Sequence, residues 1–433
     1  MAVIHREENF VVIELGGYMT KAVRDTTDIN KLPTVQVRTR AGILKADGEK
    51  PDDAESKKTE AVEDEIAKKT TEDGAAEAET QEPSYVFGSA LEAEDASTVD
   101  SIVDIIKDGH VRDWDALSAF LRYILKELQI RISENICPIL FSVPPTWSKT
   151  DYECLAQIAF EHLNAPCVVV VEQPLMAVFG NGCVNGLVVD FGHSSTTVTA
   201  VVDSSVIASS VMQSPVAGMA VTQRLRELLA SDRSVAEQLG DSADSESEDF
   251  ACTLKESGLC SFELAPAAAD ESEPGKEGAS ESFEFGSIKY MIPKKLLRQA
   301  PEVLIHPGAV SAPVGSLMKQ AVLSCEVDRR ALLWESIHVV GGSSRFAGIK
   351  EALQLELETT VLPTSNIFAN SQSREIKFGS IPDYFIGWRN CDHWAAFLGA
   401  CIMAKVAMND ARHNVTRAEY NDSGPSIIHT KSY

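Results

Sequence analysis

The sequence predicts an α/β fold, and three stretches carry that prediction. Leu187-Val188-Val189 is an apolar run ending in Asp190; Phe191-Gly192-His193-Ser194-Ser195 follows, and Thr196-Thr197-Val198 opens a second β-branched run. This reads as strand, tight turn and return strand. Phe10–Ala22 repeats the design, with Glu14 at the strand end, Gly16 and Gly17 in the turn and Lys21 on the return strand. Ile337–Val340 is a buried-type strand that opens into Gly341-Gly342-Ser343-Ser344, and the helical pattern Phe346–Leu357 follows. Any one of these describes an ordinary hairpin or loop. Two hairpins and one strand, glycine pair and helix, in this order, make the arrangement of a two-lobed nucleotide clamp.

The chemistry follows from the residue types. Backbone N–H groups in a glycine turn can point at an anion, and Gly192 allows close approach. Asp190 stands where a phosphate-bound cation needs a carboxylate, usually through water for Mg²⁺. A helix N-terminus beside Gly341 and Gly342 supplies further free N–H groups. Lys21 is expected to contact phosphate.

At 433 residues the chain is long enough for two to four structural units. Its net charge of −25 argues against binding bare nucleic acid through its own surface. The nine cysteines are scattered, without metal-ligand spacing, which fits reduced thiols in cytosol or nucleus. Met1–Glu8 is not expected to be a signal peptide, and no apolar run approaches membrane length.

In chain order, Val11–Leu15 and Val35–Arg40 are the first strands. Lys45 to Glu82 is dominated by Glu, Lys, Asp, Ala and Thr and is expected to be disordered. Asp113 caps a helix running to about Leu128, with Leu117, Phe120, Leu121 and Leu125 on one face. Pro138–Val143 is a strand; Ser148 or Thr150 caps a helix ending near His162; Val168–Val171 is a strand entering a short helix that reaches Gly180. Thr196–Val202 and Val206–Met212 extend the second sheet. Gly218 starts a helix ending near Leu229. Ser231–Ser282, rich in Ser, Glu, Asp and Ala, is expected to be a flexible excursion in which Phe250–Leu254 can pack. Trp394–Met408 is a strongly apolar helix.

Taken together these motifs resemble the actin superfamily, specifically its actin-related proteins. The tail Glu419–Ile428 is very similar to the end of actin. Ser324–Arg330, Ile337–Ser344 and Phe346–Ile349 resemble its adenosine-binding region, Lys107–Asp115 its first connecting helix, and Val171-Glu172-Gln173-Pro174 the segment carrying its water-positioning glutamine, here Gln173. The resemblance implies an actin-like ATPase fold: two lobes, each a mixed sheet flanked by helices, and four subdomains. Subdomain 1 would comprise 1–40, 83–180 and 396–433. The acidic segment 41–82 would replace the loop of subdomain 2. Subdomain 3 would comprise 181–216 and 302–395, and subdomain 4 would be 217–301 with the insert 231–282.

The resemblance also implies ATP with Mg²⁺ as ligand, contacted by Gly16, Gly17, Lys21, Asp190, Gly192, Gly341, Gly342, Ser343 and Phe346. The departures bear on catalysis. The family's Asp in the first hairpin is Glu14, followed by Gly17 and bulky Tyr18; in the second hairpin its Asp is His193 and its Gly is Ser194. The lysine over the adenine falls on His393, and the Lys-Glu pair on the helix after Gly218 is not recognisable. Phosphoryl transfer depends on positioning and charge stabilisation, so Gln173 and Asp190 are read as vestigial, nucleotide as weakly held or absent, and no metal site is assigned. A partner-helix groove is expected to be lined by Phe179, Gly182, Val184, Met403, Val406 and Met408.

The implied function is that of a non-catalytic nuclear subunit of a chromatin remodeller. Ile381-Pro382-Asp383-Tyr384-Phe385 with Trp388 is most similar to the actin-related subunits of fungal SWI/SNF and RSC complexes. Such a subunit would bind the helicase-SANT-associated helix of the remodeller ATPase beside a second actin-related protein or actin, with no direct contact to DNA or membrane. The alternatives are an ATP-hydrolysing cytoskeletal actin-related protein and, more remotely, a sugar kinase or chaperone of the same clamp fold.

Overall fold

Val11–Glu14 (β1) is buried along its whole length and lies at the centre of a six-stranded sheet. It pairs antiparallel with Met19–Arg24 (β2), which in turn pairs with Val35–Arg38 (β3). On its other side it pairs parallel with Ile139–Val143 (β4), then come Cys167–Glu172 (β5) and the edge strand Val415–Thr416. Runs such as Val168-Val169-Val170-Val171 are apolar on both faces because helices cover both. The computed structural model describes residues 5–44, 85–93, 99–239, 244–262, 280–361 and 375–431.

The helices form where the sequence places start signals. The Asp113 side chain accepts from the Ala116 N–H to open the Trp114–Glu127 helix, whose Leu117, Phe120, Leu121 and Leu125 are buried. Ser148, rather than Thr150, caps the Lys149–Gln157 helix in a reciprocal capping box with Asp151. Helices Gln173–Gly180 and Ala395–Ala407 pack against each other through glycines. A Cβ on Gly180 would collide with the Ala395 carbonyl oxygen, and one on Gly399 with that of Met176.

The second sheet is built on Gly186–Phe191 (β6), antiparallel to Thr196–Val202 (β7) and parallel to Ile337–Val340. The expected strand Val206–Met212 is broken. Ser205–Val206 and Met212–Ser214 each pair with β7, separated by a turn at Ala208–Ser210. The Ser210 hydroxyl donates to the Ile207 carbonyl and accepts from the Ala200 N–H, satisfying a ladder group that the missing strand residues leave open.

The stretch expected to be a flexible excursion is ordered where it is described. Arg233–Leu239 and Asp244–Glu256 are helices, and Ser280–Phe285 pairs with Ile288–Pro293. Phe250 supplies the reason: its ring lies 4.9–5.3 Å from those of Tyr290, Phe285 and Phe283, and Leu254 is fully buried one turn on. Four aromatic rings and Leu254 outweigh the Ser/Glu/Asp composition around them.

Residues 40–103 form a separate unit, with a three-stranded sheet ordered Tyr85–Val86, Arg40–Leu44, Val99–Asp104 and a helix at Gly88–Ala93. The acidic stretch 45–82 lies outside the described residues. Among the described residues, no helix is long and apolar enough to cross a membrane. All nine cysteines are free thiols.

Candidate functional site: a cleft between two hairpin turns

The β1–β2 and β6–β7 turns open on one cavity of about 360 Å³. Its walls include each residue expected to contact cofactor: Gly16, Gly17, Lys21, Asp190, Gly192, Gly341, Gly342, Ser343 and Phe346. Gln173, His193 and His393 also line it. Register explains the convergence. Pairing of Asp190 with Val340 brings the end of β6 level with Gly341. Gly341 has φ +89°, and a side chain there would run into the Asp190 carboxylate and the Phe191 carbonyl. Ser343 Oγ donates to the Gly192 carbonyl at 3.0 Å, and the Gly218 N–H donates to the same oxygen at 3.1 Å.

Charge in the cleft is largely self-compensated. Lys21 Nζ lies 2.6 Å from Glu14 Oε1, and both side chains are about a tenth exposed. Glu14 Oε2 is buried with no hydrogen-bond partner among the described residues. Burial, and then the neighbouring Glu14, push Asp190 up to about 6, with Lys21 pulling the other way. Burial also pushes His193 and His393 down to about 4, so both imidazoles are neutral at pH 7. Gln173 Nε2 donates to the Leu15 carbonyl at 2.8 Å; its side chain does not cap the helix it begins. Among the described residues, no protein acceptor stands opposite the backbone N–H groups of Gly16, Gly17, His193 and Ser194. Turn amides left open in this way suit an anion.

The fold brings into this wall a pair not recognisable in the sequence. Lys255 and Glu256, at the end of the Asp244–Glu256 helix, line the cavity, so a Lys-Glu pair is present after all. Lys255 Nζ donates to Thr222 Oγ1 at 2.9 Å and to the Gly218 carbonyl at 3.3 Å, anchoring its helix to the Gly218–Ser231 helix. The signal was the spacing of Phe250 and Leu254, one helical turn apart immediately before the pair. Tyr18, noted only as a bulky departure, stacks on His193 with ring centroids 4.2 Å apart.

The expected partner-helix groove is corrected at two positions. Met403 is 4% and Met408 0% exposed, and both pack in the core around Gln173–Gly180. Met403 is on the inner face of a helix whose one charged residue is Lys405, and Met408 caps its C-terminus, so sequence cannot tell groove from core there. Val184 and Val406 are more than half exposed, Phe179 is half-buried and Gly182 is exposed. Gly182 lies beneath Pro382 and Tyr384, and a Cβ there would sit 3.4 Å from the Tyr384 hydroxyl. Tyr384 and Ile386 are themselves about two-thirds exposed. Trp388 anchors their loop, fully buried and donating Nε1–H to the Ile29 carbonyl at 2.7 Å.

Two glycine hairpins and a strand with a glycine pair, all facing one cavity, define the class of two-lobed nucleotide clamps. Within it this chain belongs to the actin family, whose family model matches residues 5–433. It is 25% identical over 522 residues to the "SWI/SNF and RSC complexes subunit arp9" of Schizosaccharomyces pombe, covering 98% of this chain and 99% of that one. It is 28% identical to "Actin-like protein 9" of Mus musculus, covering 77% and 74% of the two chains. To "Actin-related protein 7" of Oryza sativa subsp. indica it is 26% identical, over 82% and 94%.

The family implies nucleotide with a divalent cation, and the residues fit that pair in part. Glu14 Oε2 and the Asp190 carboxylate would face a hydrated cation, and the open turn amides would face phosphate. When bound, the cation would neutralise phosphate charge. Lys21 would compete with it for Glu14, and His193 offers no third carboxylate.

Proposed function

We propose that this chain is a non-catalytic structural subunit of a nuclear chromatin-remodelling complex of the SWI/SNF or RSC type. It binds the helicase-SANT-associated helix of the remodeller ATPase, next to a second actin-related protein or actin. The observation that carries this reading is the end-to-end match to a relative named as an SWI/SNF and RSC subunit, which spans 98% of this chain.

The cleft supports the non-catalytic part. Phosphoryl transfer needs a held cation and cationic stabilisation of developing charge. Here the ammonium of Lys21 is committed to Glu14, and His193 is neutral. Gln173 alone can orient water, but with Glu14 paired to Lys21 the cation that would position a phosphate for attack is poorly held. For partner binding, the exposed Tyr384, Ile386 and Val406 offer the apolar surface that a helix face needs.

The test is to mix purified protein with a helicase-SANT-associated peptide and measure stoichiometry and phosphate release together. One-to-one binding with no phosphate release above the protein-free rate is the expected result. Turnover abolished by Asp190→Ala, or pelleting of the pure protein with ATP and Mg²⁺, would move it to the ATP-hydrolysing, filament-forming class instead.

A further inference from the structure

Tyr18 connects two parts of the cavity wall that the chain builds separately. Tyr18 belongs to the β1–β2 turn of the six-stranded sheet. His193 belongs to the β6–β7 turn of the second sheet, and Glu256 to the helix packed on that side. The Tyr18 ring stacks on the His193 imidazole at 4.2 Å, with planes 28° apart, and its hydroxyl donates to Glu256 Oε1 at 3.0 Å. The Arg38 guanidinium lies 5.0 Å from the centre of the same ring.

His193 and Glu256 form one body. The Met219 N–H donates to the His193 carbonyl at 2.8 Å, which ties the second turn to the Gly218–Ser231 helix. Lys255 ties the Glu256 helix to that same helix. Tyr18 therefore grips a preassembled unit at two points. Glu256 is exposed while His193 is half-buried, so the contact runs along the cavity mouth. A second link, the Asp108 N–H to Ser194 Oγ at 3.0 Å, is partly buried and would remain as a pivot if the first were broken.

We propose that Tyr18, His193 and Glu256 form a clasp that holds the mouth of this cleft shut through the protein's own side chains. Closure is then a property of the chain and does not require a phosphate chain to bridge the two turns. A polyphosphate entering by this mouth must first part the Tyr18 ring from His193. The inference goes beyond the scaffold reading and does not depend on it, because it concerns the cleft alone and no partner.

Cys260 provides the readout. It lines the cavity, is 1% exposed, and burial pushes its thiol up to about 12, so the clasp predicts that it reacts slowly while Tyr18 stays on His193. Cys154, Cys183 and Cys391 are half-buried away from the cavity and serve as internal controls. The experiment labels the native full-length protein with an alkylating reagent and follows each cysteine by peptide mass spectrometry. With Tyr18→Gly, Cys260 should react at least about tenfold faster while the three controls keep their rates. Tyr18→Phe, which keeps the stack and loses the Glu256 bond, should fall between the two. If Tyr18→Gly does not fold, His193→Ala takes its place with the same expectation. An unchanged Cys260 rate in the folded variants, or equal acceleration of all four thiols, overturns the clasp.

Discussion

Lys21 Nζ and Glu14 Oε1 lie 2.6 Å apart, and their residues stand directly opposite each other in the β1–β2 ladder. The pair is fixed by backbone register and not by chance side-chain reach. Removing one partner strands a buried charge, which costs about 3–5 kcal/mol, whereas neutralising both costs much less. Lys21→Met and Glu14→Gln should each lower unfolding free energy by about 3 kcal/mol, and the double variant by clearly less than their sum. A urea-denaturation cycle measures this. Additive losses would mean that the two groups act independently in the folded cleft.

Close packing of helices Gln173–Gly180 and Ala395–Ala407 rests on Gly399, where an added methyl would meet the Met176 carbonyl. That oxygen belongs to helix backbone and cannot yield. Gly399→Ala should therefore destabilise by about 2–3 kcal/mol, near the upper end for overpacking. Gly342→Ala is the control, since its Cβ would meet nothing within 4 Å and its φ is not positive. Thermal melting of the two variants decides. Equal melting temperatures would show that the crossing relaxes.

Much of this was legible in the sequence, for physical reasons. β1, β6 and the Ile337–Val340 strand are short apolar runs that end in glycine turns, and period and turn chemistry are local properties. The same is true of the Asp113 and Ser148 caps. The Lys255-Glu256 pair was hidden because acidic, serine-rich composition masks four aromatic anchors that meet only after the chain folds back at Ser280–Pro293. The Glu14–Lys21 ion pair was open to inference from hairpin register, yet a lysine near a glycine turn reads as a phosphate ligand until its partner is seen. Met403 and Met408 could not be assigned, because Lys405 is the one charged residue of Ala395–Ala407 and a single charge does not tell groove from core at the helix's end.

Acid should weaken the fold, in a predictable window. His193, His338 and His393 sit at about 4 against an ordinary 6.5, so the unfolded chain takes up their protons first as pH falls. Each contributes stability that is present above 6.5 and lost between there and 4. Asp190 at about 6 and Glu172 at about 7 act oppositely, because the folded state holds their protons more tightly. Near pH 5, three histidines against two carboxylates leave about one proton taken up on unfolding, or about 1.4 kcal/mol lost per pH unit. His338 is fully buried, with Asn181 Nδ2 2.9 Å from its Nδ1. His338→Asn should cancel most of that slope. Urea midpoints between about pH 5 and 6 test it, and an unchanged slope would remove His338 from the account.

Binding of a partner helix should separate from stability along the Ala395–Ala407 helix and the neighbouring loop. Val406 is 57% and Tyr384 68% exposed, so Val406→Asp and Tyr384→Asp should change unfolding free energy by less than about 0.5 kcal/mol. Each should nevertheless weaken binding of a helicase-SANT-associated peptide by at least about tenfold, since a charge in an apolar contact loses more than 1.4 kcal/mol. Met408→Ala should behave in the reverse way, losing about 2–5 kcal/mol of stability because it opens a cavity in the core. Peptide titration by calorimetry alongside urea melts gives both quantities for each variant. Full peptide affinity in the two Asp variants would move the docking surface elsewhere on the chain.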